Sequence, residues 1–414
     1  MTSQISEEAY AQSLEHEAHR AFEIHNERCQ QDDGKLWGVS LCVRLVVVDP
    51  KTKKAVANAP PPIDGFEDVG GNWRGTLDAD QLIANFGFNW EGERWVMLLA
   101  PLPNDENDLA VLASHEAFHG IQPQLGIVTR EGTPDHFNTT EARILLRLEA
   151  EALRTALLAD EKEWRRHASA ALRLRKERFL RFPSFAGDET ALIQNEGLAE
   201  YTGLVIGHAN EARIPVSSKL RHIGEADGLA RQFAYIIGPA YALLLDRSGL
   251  DWRPAARLGA ALPLLLESNL GPQRTYDELG RDYLLERIEA DEISRAEQIA
   301  QRNAKFEQLF VAGPVLKAPI QAINFSFNPN HVYSFGEQKS VYKGAVITDL
   351  WGRFETKTYV LVDWANATVV IPIEGDPAQD LKSRDDAELT IAEGWTVSRD
   401  LHKARLVRSS ETAE

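Results

Sequence analysis

The spacing of apolar residues changes twice along this chain, and each change marks a different kind of structure. Over about 5–31 (ISEEAYAQSLEHEAHRAFEIHNERCQQ) apolar positions recur at helical intervals in a charged background, which predicts one amphipathic helix. LWGVSLCVRLVVVDP (36–50) is β-branched and closes on Asp-Pro, so it predicts a strand. KTKKAVANAPPPIDG carries turn chemistry, with Pro60 to Pro62 excluding regular structure. Short strands are expected around Gln81 to Trp90 and over RWVMLLAPLP (94–103).

From about 104 to 310 the period is helical. NDENDLAVLASHEAFHG offers Asn104 or Asp105 as N-cap, acids in the first turn and Gly120 as a stop. The stretch 140–182 predicts one long helix or a hairpin of two, with mixed charges spaced for i,i+4 pairing on a surface. DETALIQNEGLAEYTGLVIG (188–207) and GLARQFAYIIGPAYALLLDRSG (228–249) predict two more helices. After Ala318 the texture turns to short alternating runs (QAINFSFNPN, KSVYKGAVITD, TKTYVLVDW, ATVVIPIEG, KARLVRSS), the pattern of a small all-β domain. The expected fold class is α+β in three parts: a helix and small sheet over 1–103, a helical region over 104–315, and an all-β domain over 316–414.

The 414 residues are 43% hydrophobic and 26% charged, the balance of a soluble globular protein with a substantial core. A net charge of −17 repels phosphate backbones and anionic membranes on average, which argues against nucleic acid as a partner. Cys29 and Cys42 are too few for a disulfide framework or a thiolate zinc cluster. The start MTSQISEEAYAQ lacks the pattern of a signal peptide, and no window approaches the ~18 apolar residues of a membrane span. The expected location is the cytoplasm, and oligomeric state is not readable.

The residues that carry chemistry are His115, Glu116 and His119 in ASHEAFHG. Positions i and i+4 share a helix face one turn apart, so both imidazoles can coordinate one Zn²⁺. Glu116 projects beside the metal, where it can take a proton from bound water. The bland alternative is an ordinary helix whose histidines are surface or satisfied core groups. A third ligand is expected downstream, and QNEGLAEYTG offers Glu196 on a second helix. Glu200 follows four residues later on the same face, placed to accept a hydrogen bond from the outer nitrogen of a ligating histidine. His16, His19 and His25 with Glu15 and Glu17 read as a solvated helix face, and His136, His208 and His222 have no ligand spacing to one another.

HEAFH followed by NEGLAEYTG resembles the gluzincin branch of the zinc metallopeptidases, which includes thermolysin and the M1 aminopeptidases. The resemblance spans about 90–250 and implies a zincin-like catalytic domain with Glu196 as third ligand and Glu200 as the acid supporting a histidine. It further implies that Tyr235, three residues before Gly238 in AYIIGPAY, stabilises the oxyanion. It implies, too, a peptide or protein substrate lying along an exposed edge strand, for which 94–100 (RWVMLLA) is the expected candidate. The aminopeptidase element Gly-x-Met-Glu-Asn has no counterpart in ERWVMLLAPLPNDEN, so capture of a free amino terminus is not implied. Two other classes stand beside this reading: a zinc-binding but catalytically silent protein that binds through its C-terminal β domain, and a helical scaffold with no metal.

Overall fold

The computed structural model describes residues 7–78, 81–130, 132–225, 228–267, 270, 276–328, 331–374, 385–400 and 403–409. Positions 5–6 of the expected first helix, and Pro329, Asn330, Gly375 and Ser410 of the expected C-terminal runs, lie outside them. The chain is α+β and divides into two compact units, Met1–Glu292 and Ile293–Glu414. Among the described residues no helix is long and apolar enough to cross a membrane.

The first unit opens with α1 (Glu7–Asp32) and a sheet of β1 (Arg44–Val48), β2 (Lys54–Ala57), β3 (Glu67–Asp68), β4 (Trp73–Thr76), β5 (Phe86–Trp90) and β6 (Glu93–Leu99), in the order β3-β4-β2-β1-β6-β5. Only the β1–β6 pair is parallel. Alternation decides the two faces. Leu45, Val47, Val56, Val96 and Leu98 pack with Leu14, Ala18 and Phe22 of α1. Val46, Val48, Trp90, Trp95 and Met97 form a second cluster on the other side. The predicted strand over 36–50 is a strand only from Arg44. Leu36 to Val39 turn instead, between Gly34 and Gly38 at φ 71° and 74°, which buries Trp37 and Leu41 among the helices. Cys29 and Cys42 form a disulfide that ties the end of α1 to the approach to β1. The two cysteines make this one bridge, a pairing not read from the sequence. Lys54–Ala57 is a strand inside the segment expected to be turn, because it pairs with both β1 and β4.

The helices follow: α2 (Glu106–Ile121), α3 (Thr140–Leu158), α4 (Trp164–Arg181), α5 (Ala186–Leu192), α6 (Leu198–His208), α7 (Arg213–Arg221), α8 (Leu229–Ser248), α9 (Arg253–Arg257), α10 (Leu262–Glu267), α11 (Tyr276–Asp282) and α12 (Leu285–Glu307). Asp105 caps α2, its side chain accepting from the amides of Asn107 and Asp108. The helix does not stop at Gly120; it runs to Ile121, and Pro123 ends it. The stretch 140–182 is a hairpin, α3 and α4, and its charges are not all on a surface. Arg143, Glu149, Arg175 and Arg178 are buried. His25 is buried too, not solvated like His16 and His19.

In the second unit the chain forms β7 (Val315–Pro319), β8 (Asn324–Phe327), β9 (Val332–Ser334), β10 (Lys339–Asp349), β11 (Gly352–Asp363), β12 (Thr368–Pro372), β13 (Ala387–Ile391), β14 (Trp395–Asp400) and β15 (Lys403–Arg408). They make one nine-stranded sheet with a core that includes Leu316, Ile347, Trp351, Phe354, Val362 and Ile371.

Candidate metal centre

Two close helix contacts bring the predicted residues together. α6 lies against α2 through Gly203 and Gly207, where a Cβ would stand 2.6 Å from the Val111 carbonyl oxygen and 2.7 Å from that of Asn107. α5 and α6 form one continuous helix interrupted by a π-helical turn, Ile193–Gly197, that carries Glu196. Such bulges inside α-helices recur at functional sites. α8 meets this turn backbone to backbone, since a Cβ on Gly238 would lie 2.5 Å from the Gly197 Cα. That contact sets Tyr235, one turn before Gly238, beside Glu196, where both line the same cleft. The Tyr235 ring stacks on His115 at 5.6 Å with an interplanar angle of 2°.

The three candidate ligand atoms converge. His115 Nε2 and His119 Nε2 are 3.2 Å apart, and Glu196 Oε2 is 3.6 Å from the first and 3.3 Å from the second. Ligands held at ~2.0–2.1 Å by one tetrahedral ion stand about 3.3–3.4 Å from one another, so the donor set fits zinc. Among the described residues it is the one His/Cys/Asp/Glu group tight enough for a metal ion.

The outer nitrogens explain why the inner ones face inward. His115 Nδ1 donates to Glu200 Oε2 at 3.0 Å, and His119 Nδ1 donates to Gln122 Oε1 at 2.8 Å. Each bond fixes the Nδ1–H tautomer and leaves the Nε2 lone pair directed at the common point. Lys219 Nζ holds the other oxygen of Glu200 at 2.5 Å. Gln122 also donates to Asn195 Oδ1 at 3.3 Å, and Asn195 donates to Glu196 Oε1 at 2.9 Å. A hydrogen-bonded chain thus links a ligand on α2 to the ligand on the π-turn. Gln122, Asn195 and Lys219 escaped the sequence reading. Gln122 lies three residues beyond His119, one helix-face step, and Asn195 precedes Glu196 directly; Lys219 carries no local signal.

Charge follows geometry. Burial works against a charged His115, but the carboxylates of Glu196 and Glu200 outweigh it and hold the group up at about 9, so below that pH a proton and a metal ion compete for the Nε2 lone pair. Burial also opposes ionisation of Glu196, yet hydrogen bonds from His115 and His119, with Tyr235, keep it well below the ordinary carboxylate range. Glu200 is lowered in the same way, against burial, by His115 and Lys219. Glu116 goes the other way: burial raises it, and the neighbouring histidines only partly offset that. Tyr235 is raised by burial and by Glu196, so its hydroxyl keeps its proton.

The site opens on a cleft of about 800 Å³ lined by His115, Glu116, His119, Glu196 and Tyr235. Asn85, Phe86 and Gly87 at the start of β5 form part of its wall, together with Ile127 to Arg130 after α2. The expected edge strand at 94–100 is therefore corrected. β6 lies inside the sheet, paired on both sides, and β5 is the edge strand beside the centre. Set against protein-family models, curated proteins and solved structures, the chain matches none of them.

Proposed function

We propose that this chain is a zinc-dependent metallopeptidase in which His115, His119 and Glu196 hold the metal and Glu116 and Tyr235 serve the reaction. The observation that carries the reading is the convergence of two Nε2 atoms and one carboxylate oxygen within 3.6 Å, while the outer nitrogens of both imidazoles are already engaged. Three protein ligands leave one coordination position for solvent, the arrangement of catalytic rather than structural zinc. Zinc bound there supplies Lewis acidity, polarising a carbonyl and bringing the pKa of a coordinated water from 15.7 towards about 7.

The chain's own residues do the rest. Glu116 takes up a proton at its carboxylate and returns it to the leaving amine, and burial raises its proton affinity towards working pH. Tyr235 keeps its hydroxyl proton and donates it in a hydrogen bond to the oxygen on which charge develops. A donor of this kind contributes on the order of 3 kcal/mol. Glu200 and Gln122 hold the imidazoles in the tautomer and orientation that binding needs. An extended peptide paired with the open edge of β5 runs past Glu116 with little sequence preference from its backbone.

The test is a cleavage screen of a mixed peptide library by the zinc-loaded protein, read by mass spectrometry. Cleavage abolished in Glu116→Gln with zinc retained is the expected result. Zinc retained with no peptide cut would favour the silent zinc protein, and no zinc at all the metal-free scaffold. The cytoplasmic location expected from the sequence has its own test. Bridges such as Cys29–Cys42 persist mainly in oxidising compartments, so the redox state of that pair in cells reads the compartment.

A further inference from the structure

We infer that the cleft selects peptides carrying a carboxylate near the bond to be cut, with Arg94 and Arg130 as the groups that recognise it. The inference rests on the metallopeptidase reading and names its substrate class. Both arginines line the cleft, and neither has an ion-pair partner within 4.0 Å among the described residues. What sets them apart from other arginines without an ion pair is that both stand in the cleft.

Strand register places Arg94. On β6, Val96 and Leu98 face α1 and α2, while Trp95 and Met97 face the opposite cluster. Arg94 is in phase with Val96 and so stands on the α2 side. Val96 pairs with Gly87, whose Cβ position is 3.3 Å from the Gly120 amide, and Arg94 pairs with Asn89 one pleat further along. Arg94 therefore emerges just beyond the point where the edge strand touches the zinc helix, and Arg130 comes from the segment that follows that helix.

Charge counting favours an anion there. Glu116 and Glu196 are the acids lining the cleft among the described residues, and a divalent ion balances both. The two guanidiniums then leave the cleft with two net positive charges on a protein of net charge −17. Arginine forks match carboxylates bidentately, and a local field of this kind steers and selects more than it tightens. The carboxylate has two sources: an Asp or Glu side chain of the substrate, or its free C-terminus.

The experiment uses matched peptides on the full zinc-loaded protein: one set with Glu or Gln at each position, another with a free or amidated C-terminus. The expected result is at least about tenfold higher kcat/KM for the carboxylate form in one of the two sets. The preference shrinks at 0.5 M salt, because screened charges select less. In the double variant Arg94→Glu/Arg130→Glu, with zinc content unchanged, preference turns towards Lys over Gln. Equal cleavage of matched pairs overturns the inference and leaves the metallopeptidase reading standing. Should nothing be cleaved, anisotropy of labelled peptides on the Glu116→Gln protein decides. Tighter binding of the carboxylate form supports the inference without hydrolysis, and equal or absent binding overturns it. Should the double variant not fold, the wild-type comparison of matched peptides across salt concentrations still decides.

Discussion

Two clusters of the first unit use the same residue types to opposite ends. In the helical core, Glu189 accepts two hydrogen bonds from Arg178 at 2.8 Å and one from His136 at 2.9 Å, while Glu149 pairs with Arg178 at 2.5 Å and takes the Tyr241 hydroxyl at 2.6 Å. Arg175 lies 3.2 Å and 3.6 Å from the two carboxylates. Two guanidiniums balance two carboxylates in charge and every member is buried, with Arg178 Nη1, Arg175 Nη1 and Glu149 Oε2 meeting as ion pairs rather than as hydrogen bonds. Around His115 the lone pairs of two imidazoles and a carboxylate oxygen face one point, and no guanidinium or ammonium among the described residues reaches it. A closed network holds a fold; an open one asks for a cation. The closed network also serves the open one, because Glu189 sits on α5, immediately before the π-turn that carries Glu196.

The sharpest break of this contrast is Arg178→Met. It leaves two buried carboxylates to Arg175 alone, and removing one partner of such a pair costs about 3–5 kcal/mol, read as a lower midpoint in urea unfolding. A loss below about 1 kcal/mol would mean the network is not closed as described. Next comes the comparison of His115 with His25. With two carboxylates His115 is held up at about 9; buried with none, His25 falls to about 4. A depressed pKa gives stability that is full above the unfolded value near 6.5 and is lost as pH falls towards 4. The difference amounts to about 3 kcal/mol. Urea titrations at stepped pH should show that loss in the wild type and a flatter profile in His25→Leu; parallel profiles would contradict it.

Smaller effects separate the supports of the metal site. Glu200→Ala should weaken zinc binding roughly 10–100-fold, measured with a competing chelator, with urea stability changed far less than by Arg178→Met. Lys219 is 43% exposed at its side chain, so Lys219→Ala should weaken zinc binding by no more than about fivefold. Equal effects from the two variants would remove the distinction drawn between them.

What the sequence carries, and what it leaves out, follows from range. Helical spacing alone puts His115 and His119 on one face and Glu196 and Glu200 on another, because i,i+4 is a local relation. Tyr235 entered by resemblance, and the physical reason for its spacing to Gly238 is the backbone contact with Gly197. The helix hairpin, the C-terminal strands and most element positions are likewise local. Strand order is not, which is why β6 reads as well as β5 for an edge. The charges of α3 and α4 look solvent-facing because their partners, Glu189 and Tyr241, come from helices that the pattern of 140–182 does not contain. The disulfide escaped for a similar reason: whether two cysteines 13 residues apart meet depends on the turn over Leu36 to Val39, which the apolar pattern reads as strand.

The most direct test of the central claim is metal analysis of the purified, dialysed protein beside two variants. About one zinc per chain in the wild type and in Glu116→Gln, with none in Glu196→Ala, is the result expected. Absence of stoichiometric metal from the wild type, or full zinc in Glu196→Ala, would contradict it.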